Sequence, residues 1–209
     1  MCKKLTLIFL TLMISLSVTA CNGFSDSDMD IYEKIHKKYN KMESYTADLD
    51  LMVFSNKTEN RYFLSQKTKD PDKFYARVTD DKGTFSVTTV VNNGTTKVAA
   101  EGSEYSMTVP CEDYLGLLFV NTFLRMYFSS EDTSLTVDKA LSKSDKTVME
   151  VSVENPDLNL SRIVLTFDNK TLMPYGATIY NREGKAVAKG KYENFIFNDK
   201  IDESVFSLD

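Results

Sequence analysis

Paired carboxylates are the reactive groups that recur in this sequence: Asp48 with Asp50, Asp80 with Asp81, Glu112 with Asp113, and Glu131 with Asp132. Two such groups facing each other across a sugar can serve as the acid and base of glycoside hydrolysis. Most of these pairs fall in polar turns or on the wet side of alternating segments, where they read as solvated charge. Nitrogen and sulfur ligands are scarcer. His36, the sole histidine, sits beside Lys37 and Lys38 and reads as a helix-surface residue. One imidazole builds neither a His-rich zinc centre nor a His-based triad. Cys111 follows Pro110 at a helix start, where the helix dipole favours thiolate. Glu112 and Asp113 oppose that shift and no cysteine lies nearby to pair with it, so Cys111 reads as a buried inert thiol. Eight glycines form no phosphate-cradling loop. The expectation is a chain that is not an enzyme, with no catalytic residue, no metal and no cofactor.

Covalent chemistry of another kind is written at the N-terminus. Lys3 and Lys4 precede an apolar run of fourteen residues, Leu5 to Val18, and small residues lead into Cys21. This is the three-part plan of an export signal. The ending Val18-Thr19-Ala20-Cys21 resembles the bacterial lipobox, whose cysteine is diacylated and becomes the first residue of the mature chain. An uncut membrane helix is the alternative, and it would need about twenty apolar residues. Cys21 is therefore the expected lipid-attachment residue and residues 1–20 the signal peptide. Each buried acyl methylene contributes about 0.8 kcal/mol, so two or three chains would hold the protein to an extracytoplasmic membrane face.

Removing twenty of 209 residues leaves 189, enough for one core. Lys3 and Lys4 leave with them, so 23 basic residues face 30 acidic ones, a balance of −7. That surface excludes nucleic acid, whose phosphates need clustered Lys and Arg, and leaves membrane attachment to Cys21. With Cys2 removed and Cys21 acylated, Cys111 has no intramolecular disulfide partner.

The elements follow in order. Residues 21–28 read as a polar tether, with Asp28 or Asp30 as a helix cap. Ile31, Tyr32, Ile35, Tyr39 and Met42 recur at helical spacing, predicting an amphipathic helix over 29–42. From Tyr45 the period is two, with Tyr45, Ala47, Leu49, Leu51 and Val53 on one face. Further strands are predicted over 61–67, 73–79, 84–91, 95–100 and 105–109, with Asn92-Asn93-Gly94 as a tight hairpin turn. Cys111 to Phe128 reads as a mostly buried apolar helix and Ser129 to Ser134 as a loop. Strands over 147–153, 161–168, 175–181 and 187–195 complete a sheet of roughly ten strands with two helices on one face.

This order resembles the LolA/LolB-type proteins: lipobox, tether, helix, meander, apolar helix, second meander. The most specific parallels are Ile163 to Asp168, Leu172-Met173-Pro174-Tyr175, Asn181 to Gly184, Tyr192 to Phe195 and Ile201 to Phe206. The resemblance implies an α+β fold over residues 29–209, an open antiparallel half-barrel with helices on its concave face. Within that superfamily the chain is similar to the GerS-type germination lipoproteins of spore-forming clostridia. The stretches that carry this are Tyr32 to Tyr39, Glu43-Ser44-Tyr45, Ser55 to Thr58 and Pro110-Cys111.

That likeness implies a lipid-anchored, non-enzymatic activator of a CwlD-like spore-cortex N-acetylmuramoyl-L-alanine amidase. The amidase makes the muramic-δ-lactam that marks cortex for germination. The residues that would face it are unknown. A second reading is a carrier of lipids or lipoprotein acyl chains within the curved sheet; a third is an enzyme acting on peptidoglycan. Bulky Leu118, Phe119, Phe123, Met126 and Tyr127 would fill the cavity a carrier needs. Long edge strands also permit a homodimer by strand exchange.

Overall fold

A computed structural model describes residues 26–55, 57–69, 71–103, 106–110, 118–130, 133–138, 146–153 and 160–207. Alternation decides its central strand. In β1 (Ser44–Phe54) Tyr45, Ala47, Leu49 and Leu51 are buried and Asp48 between them is exposed, which commits one face of the pleat to the core. β1 pairs antiparallel with β2 (Glu59–Lys69) on one side and with β11 (Ala186–Phe197) on the other.

Outward from β2 run β3 (Lys73–Asp80), β4 (Ser86–Asn92), β5 (Thr95–Ala100) and β6 (Ser106–Pro110). The β4–β5 turn uses Asn93 and Gly94 at φ 48° and 73°, the left-handed pair a two-residue hairpin requires. A second meander, β7 (Thr133–Asp138), β8 (Lys146–Ser152), β9 (Arg162–Asp168) and β10 (Pro174–Tyr180), runs inward to β11. The product is one eleven-stranded antiparallel sheet, ordered β6-β5-β4-β3-β2-β1-β11-β10-β9-β8-β7, open and curved. The strand beyond the ten expected is β7, which begins inside the segment read as a loop. It is short and polar, and its pairing with β8 supplies the order that its composition does not signal.

Two helices cover the concave face. α1 (Asp26–Tyr39) begins three residues before the periodic stretch, so Asp28 and Asp30 lie inside it and do not cap it. Acids in the first turn suit the helix dipole, and Asp30 pairs with Lys34 one turn on at 2.6 Å. α2 (Val120–Ser129) starts later than expected: Leu118 is in a 3₁₀ turn and Phe119 is extended, while residues 111–117 lie outside the described set. Since β6 and β7 are opposite edges of the sheet, the connection carrying α2 has to cross it. Ile35, Tyr45, Phe123, Met149, Leu165 and Phe167, each under 2 % exposed, fill the space between sheet and helices.

Strand contact is closest where β1 meets β11. A Cβ on Gly190 would stand 2.7 Å from Leu49 Cδ1, and Leu49 is 1 % exposed with no room to withdraw. The tail then fastens the other face. Asn198 N–H donates to Ser44 O at 2.8 Å and Thr46 Oγ1 to Asp199 Oδ2 at 2.8 Å. A 3₁₀ turn, Glu203–Phe206, capped by Asp202, packs against β3 and β4 with Phe206 fully buried. Lys69 and Lys73 lie directly opposite in register, a repulsive pairing that Glu203 bridges by taking a hydrogen bond from each.

Gly190→Ala is expected to destabilise the fold by about 1–3 kcal/mol, read as a lower urea midpoint at unchanged slope. Hydrogen bonds from Lys69 and then Lys73 hold the Glu203 carboxyl below the usual range. Its stabilisation is therefore complete above the unfolded value of about 4.3 and is lost as pH falls through the lower folded value. The melting temperature of Glu203→Gln should lie below wild type near neutrality, and the gap should narrow progressively as pH falls below about 4.3; a gap independent of pH would contradict the bridge.

Candidate functional site

α2 starts without a capping side chain of its own: Phe119, at φ −86° and ψ 129°, makes no side-chain cap bond. The sheet supplies one. Val120 N–H donates to Tyr45 Oη at 2.9 Å, and Tyr45 Oη donates to Gln66 Oε1 at 3.5 Å. Gln66 Nε2 donates to Leu118 O at 3.3 Å, and Tyr192 Oη donates to the same carbonyl at 2.6 Å. Burial pushes the Tyr192 phenol up, keeping it a protonated donor. Gln66 is 1 % exposed, a polar group that the alternation of β2 delivers to the core and that is satisfied there.

With its start fixed, α2 turns Val120, Phe123, Leu124 and Tyr127 inward. Its far end meets α1 through rings: Tyr32 lies 6.4 Å from Tyr127 and 5.8 Å from Phe128, and His36 stands edge-on to Phe128 at 4.6 Å. Burial, and then the neighbouring Tyr32 hydroxyl, push the Tyr127 phenol up to about 12. The other end of α1 is tied to the β9–β10 turn, where Tyr39 Oη donates to Leu172 O at 3.0 Å and Leu172 takes φ 55°. Between the helices an open cleft of about 370 Å³ is lined by Tyr39, Met42, Leu124 and Phe128 with His36 and Arg125.

The residues with chemical potential are kept apart. Among the described residues no three His, Cys, Asp or Glu converge on a metal-sized site. Arg61 holds both Asp50 oxygens at 2.8 and 2.6 Å and depresses the carboxyl. Asp80 accepts from Thr84 and Phe85 and is likewise held low, the Thr84 hydroxyl contributing most. A glycosidase acid needs the opposite shift. Asp48 is exposed and takes a bond from Asn194 at 2.8 Å, while Asp81 is exposed. Cys21, Cys111, Glu112, Asp113, Glu131 and Asp132 lie outside the described residues. No described helix is long and apolar enough to cross a membrane.

Among the described residues, aromatic and aliphatic side chains fill the space between the sheet and the helices. The sequence profile of the sporulation protein YdcC-like family matches residues 2–206. The chain belongs to that family. No curated protein matches the sequence. Among solved structures it is similar to the GerS lipoprotein in its complex with the CwlD amidase from Clostridioides difficile. That match has 20% identity and a TM-score of 0.50, covering 84% of this chain and 98% of the other. An uncharacterised conserved protein from Thermus thermophilus gives 0.54 at 11% identity, over 88% and 95% of the two chains. A LolA superfamily protein from Nitrosomonas europaea gives 0.46 at 11%, over 86% and 97%. At these identities the likeness to GerS is one of fold.

The polar clamp under α2 was not legible as such in the sequence, because Tyr45, Gln66 and Tyr192 stand on three strands and no local spacing joins them. Tyr45→Phe removes the hydroxyl bonds to Val120 and Gln66 and should cost about 1–3 kcal/mol, the penalty for buried groups left unpaired. Urea unfolding measures the loss. Amide exchange at Val120 should accelerate in the same variant, and unaltered protection there would contradict the capping role.

Proposed function

We propose that this protein is a lipid-anchored, non-enzymatic partner of a CwlD-like spore-cortex N-acetylmuramoyl-L-alanine amidase. It raises the amidase's activity in muramic-δ-lactam formation and so serves germination. The observation that carries the reading is the fold match over 98% of GerS, a lipoprotein solved with an amidase bound. Membership of a sporulation family supports it. So does the state of Asp50 and Asp80, the first held low by Arg61 and the second by Thr84 and Phe85. In the competing carrier reading an acyl chain occupies the concave face. That face is taken by Tyr45, Phe123, Met149 and Phe167, so binding through the outer surface is favoured.

Anchoring is assigned to Cys21 after removal of residues 1–20, with residues 22–25 as the link to α1. An activator must bind the active state of its partner more tightly than the inactive one. The mature chain, mixed with the host's CwlD-like amidase, should form a stable complex and increase lactam product; no complex at about micromolar concentration, where a useful interface still binds, contradicts this. Cys21→Ala should free the protein from membranes, and continued tight membrane association would overturn the anchor.

A further inference from the structure

Three segments distant in sequence meet at one end of the sheet: the last turn of α1, the β9–β10 turn and the start of the tail. Lys38 Nζ donates to Thr171 O at 2.8 Å, beside Lys170. Asn198 Nδ2 donates to Lys41 O at 3.0 Å, and its Oδ1 accepts from Glu43 N–H at 2.8 Å, two residues before Lys200. These bonds gather Lys37, Lys41, Lys170 and Lys200, all exposed. None of the four forms an ion pair among the described residues. The acids nearest them in the chain are Glu33, one turn before Lys37, and Glu43, both exposed, and Asp199, half-buried beside Lys200.

Lysines at a helix C-terminus offset its dipole, which accounts for Lys37 and Lys41. It does not account for Lys170 and Lys200, which belong to other elements. Several lysines elsewhere on the sheet are neutralised: Lys69 and Lys73 by Glu203, Lys146 by Asp168, Lys191 by Glu193. Two residues before Asn198, on the face of the sheet turned away from α1, Ile196 is 51 % exposed. It pairs with Thr46, whose hydroxyl holds Asp199. An exposed apolar side chain at the same end of the sheet as unpaired cations fits a partner surface that is acidic beside an apolar spot.

We infer that Lys37, Lys41, Lys170 and Lys200, with Ile196, form the docking surface for an acidic face of the partner amidase. This rests on the reading under Proposed function. Anionic lipid is the competing counterpart. The tether, however, joins α1 at its other end, about 21 Å along a helix of 14 residues. In the anchoring proposed above that end of α1, whose sequence holds Asp26, Asp28 and Asp30, is the one nearer the lipid in the chain.

The test compares the mature chain with Lys37→Glu/Lys41→Glu/Lys170→Glu and with Ile196→Ala, titrated against the host amidase at about 50 and about 200 mM salt. Wild-type affinity should fall about tenfold or more with salt, and the triple variant should bind at least about tenfold more weakly at low salt. Ile196→Ala should weaken binding at both salts, and all melting temperatures should be unchanged. A triple glutamine variant, which only neutralises, should fall between. Wild-type-like binding by the triple variant overturns the inference and leaves the amidase reading standing. Absence of any wild-type complex overturns that reading and this inference with it. Unaltered amidase affinity with lysine-dependent sedimentation on phosphatidylglycerol vesicles assigns the cluster to the membrane and also overturns it.

Discussion

One phenol governs the placement of the central helix. Tyr45 reaches up from the middle strand of the sheet to take the Val120 N–H and donates its own proton to Gln66. Tyr192, from the adjoining strand, holds the carbonyl of Leu118 two residues earlier. A helix start buried without such partners leaves donors unsatisfied at a cost comparable to a lost hydrogen bond. Strands β1, β2 and β11 therefore fix where α2 begins, and with it which of its residues point into the sheet. Phe123 and Tyr127 follow from that choice, and through Tyr127 and Phe128 so does the seat of α1.

The consequence is a scaffold with its inner face already occupied. Aromatic and aliphatic side chains pack where a carrier of this architecture would keep a cavity, and the outer face is closed at one end by the tail and its buried Phe206. What stays accessible is outer surface: the ion-paired face of the sheet, the cleft between the helices, and the lysine-bearing end. Fold alone does not choose among activities, and the proposed reading uses these accessible surfaces for contact.

Much of this was written in local patterns. The alternation from Tyr45 to Val53 named the buried face of β1, Asn93-Gly94 named the β4–β5 hairpin, and helical spacing found α1 and the body of α2. The late start of α2 was hidden because Leu118 and Phe119 are as apolar as the turns that follow. Only the distant Tyr45, Gln66 and Tyr192 decide that those two residues stay outside the helix. β7 escaped because a short polar edge strand derives its order from pairing with β8. The carboxylate pairs read as solvated charge in turns or on the wet side of strands. Asp48 and Asp81 are exposed, whereas Asp50 and Asp80 are half-buried and held by Arg61 and by Thr84 and Phe85. The lysine-bearing end was invisible, since Lys41, Lys170 and Lys200 meet only through hydrogen bonds between remote segments.

The central proposal is that this chain works by touching another protein and transforms nothing itself. The most direct measurement incubates the isolated mature chain with purified cortex fragments and follows their masses by mass spectrometry. The account predicts fragments of unchanged mass. Release of a sugar or peptide product, abolished by replacing a single carboxylate such as Asp50, would contradict it.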